Sequence, residues 1–516
     1  MARTLFFLFA APLLSAATCE SLTTLAIPHT TIATAELRPA GDFAPAGARA
    51  IKNLPSFCRV AGSIKPSQDS DIRFEVWLPA TGWNGKFQGV GNGGFAGEIN
   101  FDELADAVKH NYASASTDTG HKGGVTDAGW ALHHPEKIVD FGYRAIHETA
   151  VTAKAVIEHF YGDAPRWSYF NSCSNGGRQA LMEAQRYPAD YNGILAGAPA
   201  NYWTHLLADA AWNILATLNT PADYIPPSKL PAIQAAALGA CDTIDHVKDG
   251  VIEDPRQCHF DPSVLLCKEA DSSTCLTAPQ LAALKKLYAG STNSKGQRIF
   301  PGYSPGGEAD PAGWMPWITG PVPEKSAMFA FGTQFFKNMV FDNPDWQFRT
   351  FDIDRDTKMA DDKAARILNS NDPDLGAFRS RGGKLIVYHG WSDAAIPPQN
   401  AIDYVDSVSA KMGAGAVDGF LRLYMVPGMQ HCGGGAGVTG FADTVPAGDR
   451  FHDADAALEA WVEQGQAPSQ IIATKYDSSG GVIRTHPLCP YPSIATYKGS
   501  GSTDDAANYT CVTPPR

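Results

Sequence analysis

Ten cysteines, at positions 19, 58, 173, 241, 258, 267, 275, 432, 489 and 511, span this 516-residue chain and limit its fold more than any other feature. An even set of this kind suits five disulfides in an exported protein. Neighbours in sequence suggest Cys19 with Cys58, Cys241 with Cys258, Cys267 with Cys275 and Cys489 with Cys511, which leaves Cys173 for Cys432. Spacing alone does not fix that connectivity. Cys173 precedes Ser174 and Cys432 follows His431. A bond between these cysteines brings their Cα atoms to about 4.4 to 6.8 Å and makes Ser174 and His431 neighbours. Read only as a staple, it closes a very long loop and stabilises by roughly 5 kcal/mol in the chain-entropy model. The two readings are compatible.

Export is expected from the N-terminus. Arg3, the apolar run Leu5 to Leu14 and Ser15-Ala16-Ala17 have the three parts of a secretory signal peptide spanning 1–17, with Thr18 first after cleavage. A short buried helix is the competing reading, but the run lies uncapped beside Met1. Thr18 is a poor fit to lipoprotein processing at Cys19. No later segment reaches the roughly 18 apolar residues of a membrane span, so the mature chain is expected to be soluble and secreted or periplasmic. A net charge of -13 without a dense Lys/Arg run argues against a nucleic-acid partner. With 44% hydrophobic and 18% charged residues the chain has ample apolar surface for a core. Its length exceeds the roughly 250 to 300 residues of a single core, so two domains or a large insertion are required. Oligomeric state is not legible.

The pattern along the chain predicts an α/β protein. Arg73 to Leu78 alternates as a half-buried strand, and Lys86 to Val90 leads into the turn Gly91-Asn92-Gly93-Gly94. Residues 142–160, with Ala145, Ile146, Ala150, Ala153 and Ile157, predict an amphipathic helix before a strand over Trp167 to Asn171. Such alternation implies a mostly parallel sheet covered by helices. Near residue 200 the texture turns rich in Pro, Trp, Phe and Cys, and strands resume only with Lys384 to His389 and Leu421 to Val426. The expected organisation is a core from 18–202 and 373–516, split by a lid over 203–372.

Chemistry concentrates just after those strands. Ser172-Cys173-Ser174-Asn175-Gly176-Gly177 lies between a predicted strand and a helix, the setting of a nucleophile elbow, with Ser172 where Gly is usual. A Ser hydroxyl needs a base, and the base needs an orienting carboxylate. Asp393 follows one later strand and His431 the next, and the order Ser, Asp, His is that of α/β-hydrolases. The backbone N–H groups of Asn175 and Gly94 are candidate oxyanion donors, one such donor being worth about 2.7 to 4 kcal/mol. The inserted segment carries Asp242, Asp245 and Asp249 with the carbonyls of Val247 and Val251, hard oxygens that suit Ca²⁺. It is not an EF-hand, because Arg256 stands twelfth from Asp245, and spacing alone favours a solvated acidic turn. Trp314, Trp317, Phe329, Phe331, Phe335, Phe336 and Trp346 are expected to pack mainly in a core, with one or two lining a pocket.

At Cys173-Ser174, Asp393 and His431-Cys432 the chain resembles the tannase and feruloyl esterase family, and the resemblance extends to Ala196-Gly197-Ala198-Pro199 and Pro487 to Pro492. It implies an α/β-hydrolase core with an inserted lid, the five disulfides paired as above, and a structural calcium on Asp242, Asp245, Val247, Asp249 and Val251, with no cofactor for the chemistry. It implies hydrolysis of small aromatic esters of hydroxycinnamic or gallic-type acids. A branch acting on mono(2-hydroxyethyl) terephthalate holds the free carboxylate with a lid arginine. Here the matching position, by eye, is Met328, with only Lys325 and Lys337 basic between Trp317 and Phe348. A peptidase or lipase using the same triad, and an exported binding protein on an inactive hydrolase fold, are the readings that compete with an aromatic esterase.

Overall fold

The computed structural model describes residues 18–45, 47–442, 445 and 448–514, so the expected signal segment 1–17 lies outside the described residues. Its centre is a nine-stranded sheet built from β1 (Thr30–Arg38), β2 (Phe57–Ile64), β3 (Ile72–Pro79), β4 (Lys86–Val90), β5 (Ala113–Thr117), β6 (Trp167–Cys173), β7 (Gly193–Gly197), β8 (Lys384–Gly390) and β9 (Leu421–Val426). In space the order is β1-β2-β3-β5-β4-β6-β7-β8-β9. The first three strands and β5 pair antiparallel, and every pairing from β5 to β9 is parallel. This is the architecture of an α/β-hydrolase core.

The parallel half follows from its residues. Leu385, Ile386 and Val387 of β8 are all fully buried, the continuous apolar run of a strand covered on both faces. Helices α1 (Phe101–Lys109), α2 (Ala145–Tyr161) and α3 (Asn175–Arg186) follow β4, β5 and β6. In α2 the buried stripe Ala145, Ile146, Ala150, Ala153, Val156 and Ile157 repeats at helical spacing, and Gly162 ends it with φ 81°. The expected start at 142 is moved to 145, because 140–144 form a wider helical turn.

The sheet does not begin at Arg73. Two antiparallel strands precede it, and the periodicity of β1 is weak because only Ile32 and Ala35 of its nine residues are buried. An edge strand has little apolar alternation to show. Between β7 and β8 the chain adds helices α4 (Trp203–Leu218), α5 (Leu230–Cys241), α6 (Ala278–Ala289), α7 (Ala327–Gln334) and α8 (Ile353–Ala360), and no strand of the main sheet. Trp314, Phe335, Phe336 and Trp346 from this stretch share one buried cluster with Phe95, Phe141, Ala394 and Ile396 of the sheet's loops. The inserted layer therefore sits directly over the ends of the strands.

All ten cysteines are paired, in the combination suggested by their spacing, with Cα separations of 4.9 to 5.9 Å. Among the described residues no helix is long and apolar enough to cross a membrane.

Candidate active site

Ser174 stands between β6 and α3 with φ 67° and ψ -125°, a region that L-residues rarely adopt. The turn is held by its backbone: Ser174 N–H donates to Gly197 O at 2.9 Å, and Ala200 N–H donates back to Ser174 O at 3.1 Å. Ser172 fits where Gly is usual because its neighbours are glycines. A Cβ on Gly176 would lie 1.9 Å from Ser172 Oγ, and one on Gly91 would lie 2.6 Å away. The small residue has moved to the facing positions.

The loops after β8 and β9 deliver Asp393 and His431. His431 Nε2 lies 2.9 Å from Ser174 Oγ, and His431 Nδ1 lies 2.8 Å from Asp393 Oδ2. Asp393 is fully buried and surrounded by donors. Its Oδ1 accepts Ala395 N–H at 2.8 Å and Ile396 N–H at 2.9 Å, while Oδ2 also faces His389 Nε2 at 3.1 Å. Burial alone raises a carboxyl, but His431 and His389 outweigh it and hold Asp393 well below the usual carboxylate range. The carboxylate is thus ionised wherever the imidazole needs it. The disulfide Cys173–Cys432 brings the two turns together with Cα atoms 5.9 Å apart. The Trp317 ring meets the His431 ring edge to face at 4.8 Å and limits how far the imidazole swings.

Gly94 and Asn175 both line the same cavity as Ser174. Gly94 has φ 53°, and a Cβ there would lie 2.1 Å from Val125 O, so only glycine suits this turn. A buried polar lattice, not visible in the sequence, braces these two segments. Gln179 Oε1 accepts Asn92 N–H at 3.0 Å, and Asn175 Nδ2 donates to Asn92 O at 3.2 Å. Arg178, fully buried, donates from Nε to Asn175 Oδ1 at 2.8 Å and from its other nitrogens to the carbonyls of Phe141, Gly142 and Leu368. Burial lowers its guanidinium to about 9, and the rings of Phe141 and Trp203 flank it. The sequence shows Asn92 in the glycine turn and Asn175, Arg178 and Gln179 near the start of α3, but not that these segments meet. His389, four residues before Asp393, is equally legible only as the end of a strand.

Around Ser174 opens a cavity of about 470 Å³, walled by Trp203, Leu207, Tyr303, Trp317, Met328 and Phe331 from the inserted stretch. Of the seven aromatics of the inserted stretch singled out in the sequence, Trp317 and Phe331 reach this cavity, while the others pack in the buried cluster shared with the sheet's loops. Among the described residues lining it there is no Lys or Arg, and Lys325 and Lys337 are not in its wall.

The acidic set of the insertion lies apart from this cavity. Asp242 Oδ1 accepts the N–H groups of Asp249 and Gly250 at 3.2 and 3.0 Å, and Asp245 Oδ1 accepts Val247 N–H at 3.1 Å. Asp249 Oδ1 accepts Val251 N–H at 3.1 Å, and its Oδ2 pairs with Arg484 at 2.8 Å. Glu253, absent from the sequence reading, joins them and faces His486 at 3.1 Å. Burial, then Glu253 and Asp249, push Asp245 up to about 6. Among the described residues, three His, Cys, Asp or Glu ligand atoms gather within 4.8 Å at His147-Glu183-Asp190 and at Cys267-Asp271-Cys275, and the acidic set of the insertion is not one of these groups. Cys267 and Cys275 are bonded to each other.

Known proteins resemble the chain over most of its length. The family model described as Tannase and feruloyl esterase matches residues 58–512. The chain is 43% identical to an uncharacterized esterase of Xanthomonas campestris, over 97% of this chain and 92% of that protein. It is 34% identical to mono(2-hydroxyethyl) terephthalate hydrolase of Piscinibacter sakaiensis, over 92% of this chain and 87% of that one. The crystal structure of feruloyl esterase B from Aspergillus oryzae superposes with a TM-score of 0.88 at 28% identity, covering 96% of this chain and 99% of its own. A match that spans nearly every element of the sheet and the inserted layer shows that the chain belongs to the tannase and feruloyl esterase family and is a carboxylic ester hydrolase.

Proposed function

We propose that the enzyme cleaves esters of hydroxycinnamic or gallic-type aromatic acids through an acyl-enzyme on Ser174, after export. The observation that carries this reading is the unbroken hydrogen-bond chain Ser174-His431-Asp393 opening onto a cavity whose wall from the inserted stretch is aromatic and aliphatic and which has no Lys or Arg in its lining. His431 Nε2 accepts the Ser174 proton as Oγ attacks the ester carbonyl, and ionised Asp393 stabilises the imidazolium. The imidazolium then gives its proton to the departing alcohol. Water, deprotonated by the same nitrogen, releases the acid. The N–H groups of Gly94 and Asn175 are the donors for the charge that develops on the carbonyl oxygen. The segment 203–372 serves as the lid, since it supplies most of the apolar wall against which the acyl ring packs.

The five disulfides support an oxidising destination. The acidic set supports a structural Ca²⁺ held by the carboxylates of Asp242, Asp245 and Asp249 and the carbonyls of Val247 and Val251. Burial, and then neighbouring carboxylates, raise Asp245 and Asp249, a cost that a cation relieves, and all five donors are hard oxygens. The ion would supply positive charge to the insertion and takes no part in ester cleavage.

Initial rates on methyl ferulate, methyl gallate and mono(2-hydroxyethyl) terephthalate test the acyl preference. A free terephthalate carboxylate entering this cavity sheds water without meeting a cation, while a phenolic ring loses nothing comparable. At least one neutral methyl ester should exceed the terephthalate half-ester by about tenfold in kcat/KM, the equivalent of about 1.4 kcal/mol. Met328→Arg should narrow that gap. Equal or better turnover of the half-ester by the wild type would overturn the preference.

A further inference from the structure

The Cys173–Cys432 disulfide also lines a second cavity, of about 600 Å³, together with residues of α1. It shares four wall residues with the cavity around Ser174: Glu103, Ser172, Cys173 and Cys432. The two walls differ in chemistry. The first is aromatic and aliphatic along the lid, whereas the second carries Asp102, Glu103, Asp106 and His110 of α1 and its C-terminal end, with Tyr388 opposite. Glu103 sits where the two meet, and its Oε2 is buried without a hydrogen-bond partner. A buried carboxylate oxygen left unpaired is costly, and a group that brings it a hydrogen recovers that cost. Asp102 is paired with Arg49 at 2.6 Å, and the His110 ring lies 3.8 Å from Asp106 Oδ1, so the negative charge of the cleft is only partly offset.

An ester has two ends, and the wall the two cavities share at Ser172, Cys173 and Cys432 adjoins Ser174 and His431 in the chain. With the acyl ring against the lid, the alcohol end leaves across Ser172, Cys173 and Cys432. We propose that the cleft lined by α1 is the alcohol-side subsite, and that it accepts alcohols bearing hydroxyl donors or positive charge and rejects alcohols bearing a carboxylate. The subsite rests on the esterase reading given above. Glu103 is a specificity-determining residue in this arrangement, and it contacts the alcohol without entering the proton transfers at Ser174.

The test is a series of ferulate esters that share one acyl group and differ only in the alcohol: methanol, glycerol, choline and glycolate. Wild-type kcat/KM for the glycerol and choline esters should exceed that for the anionic glycolate ester by at least about tenfold, since one carboxylate facing this cleft meets repulsion that is only partly screened. In Glu103→Gln, and separately in Asp102→Lys/Asp106→Lys on the rim, the choline-to-glycolate ratio should fall by about tenfold or more. The wild type gives a second reading without any substitution. Burial pushes Glu103 up to about 7, so the same ratio should rise between pH 6 and pH 8 as Glu103 ionises, the groups facing it being Asp102, Asp106 and His110 around α1, Tyr388 on β8 and His431 after β9. Because the ratio compares two alcohols on one enzyme, titration of His431 itself cancels. A ratio near one, or a ratio unmoved by both variants and by pH, would overturn the subsite while leaving the esterase reading in place. No turnover of any member, methyl ferulate included, would overturn both.

Discussion

Replacing Asp393 by Asn exchanges one oxygen for an amide nitrogen and should disable the enzyme, for a reason that the hydrogen bonds make explicit. The Asp393 Oδ1 position accepts two backbone N–H groups, from Ala395 and Ile396, and only an oxygen can stay there. In Asp393→Asn the amide nitrogen is therefore forced into the Oδ2 position, where it points N–H groups at His431 Nδ1, 2.8 Å away. Two donors cannot face each other, so the ring must turn Nδ1 into an acceptor and carry its proton on Nε2. That nitrogen faces Ser174 Oγ at 2.9 Å and can no longer take the hydroxyl proton. The expected loss in kcat is about 10⁴-fold, as for a triad held in the wrong tautomer, or about 5.4 kcal/mol of barrier. Some stability should be lost as well, because the new amide nitrogen also faces His389 Nε2, 3.1 Å away, which already bonds Ile396 O at 3.0 Å. Single-turnover and steady-state rates on methyl ferulate, with a melting curve on the same sample, give the answer. A loss below about tenfold would refute the tautomer argument, since that is only about 1.4 kcal/mol.

Other outcomes follow from the same geometry. Cys173→Ser/Cys432→Ser opens a loop of 259 residues and Cys267→Ser/Cys275→Ser one of 8, so the first pair should lower the melting temperature more, by up to about 5 kcal/mol of stability in the chain-entropy model; equal losses in calorimetry would contradict it. Chelation should lower the melting temperature of the wild type and leave that of Asp249→Ala unmoved, because an ion that binds only the folded chain must stabilise it; a wild-type melting curve indifferent to chelator would count against the ion. Burial raises Asp209 to about 7 in the folded chain, so the stability it contributes is full below about pH 4 and is lost as pH rises through about 7. Asp209→Asn should therefore flatten that part of the stability profile between pH 4 and 7, and identical profiles for the two proteins in urea melts would disprove the assignment.

What the sequence makes legible is local. Strands β3, β4, β6, β8 and β9 are readable because their apolar runs are strong, and Ser174, Asp393 and His431 stand out because each follows such a run. Proximity in the chain suggests the cysteine partners, and the long-range pair emerges as the remainder. What stays hidden is built from distant segments. Asn92, Gln179 and Arg178 look like surface residues until β4 and α3 meet, and Glu253, Arg484 and His486 come together only when the antiparallel strand pair Ile471–Tyr476 and Val482–Leu488 packs against the insertion. Strand β1 escapes the sequence reading because an edge position asks little of its side chains. Glu103 gives no signal at all, since its meaning comes from two cavities that exist only in the fold.

The place of the insertion between β7 and β8 also bears on when activity first appears. These two strands are hydrogen-bonded neighbours, Gly193 against Lys384 through Gly197 against Tyr388, yet the whole stretch 198–383 separates them along the chain. Ser174 lies before that gap, and Asp393 and His431 lie after it. On the proposed mechanism, the residues before the gap carry a nucleophile without its base until the gap closes. Loop closure over such a distance has an entropic cost that local contacts cannot offset, so it belongs among the late steps of folding. Hydrolysis thus serves as a report of completed folding: a nascent or truncated chain that displays Ser174 correctly is still inert.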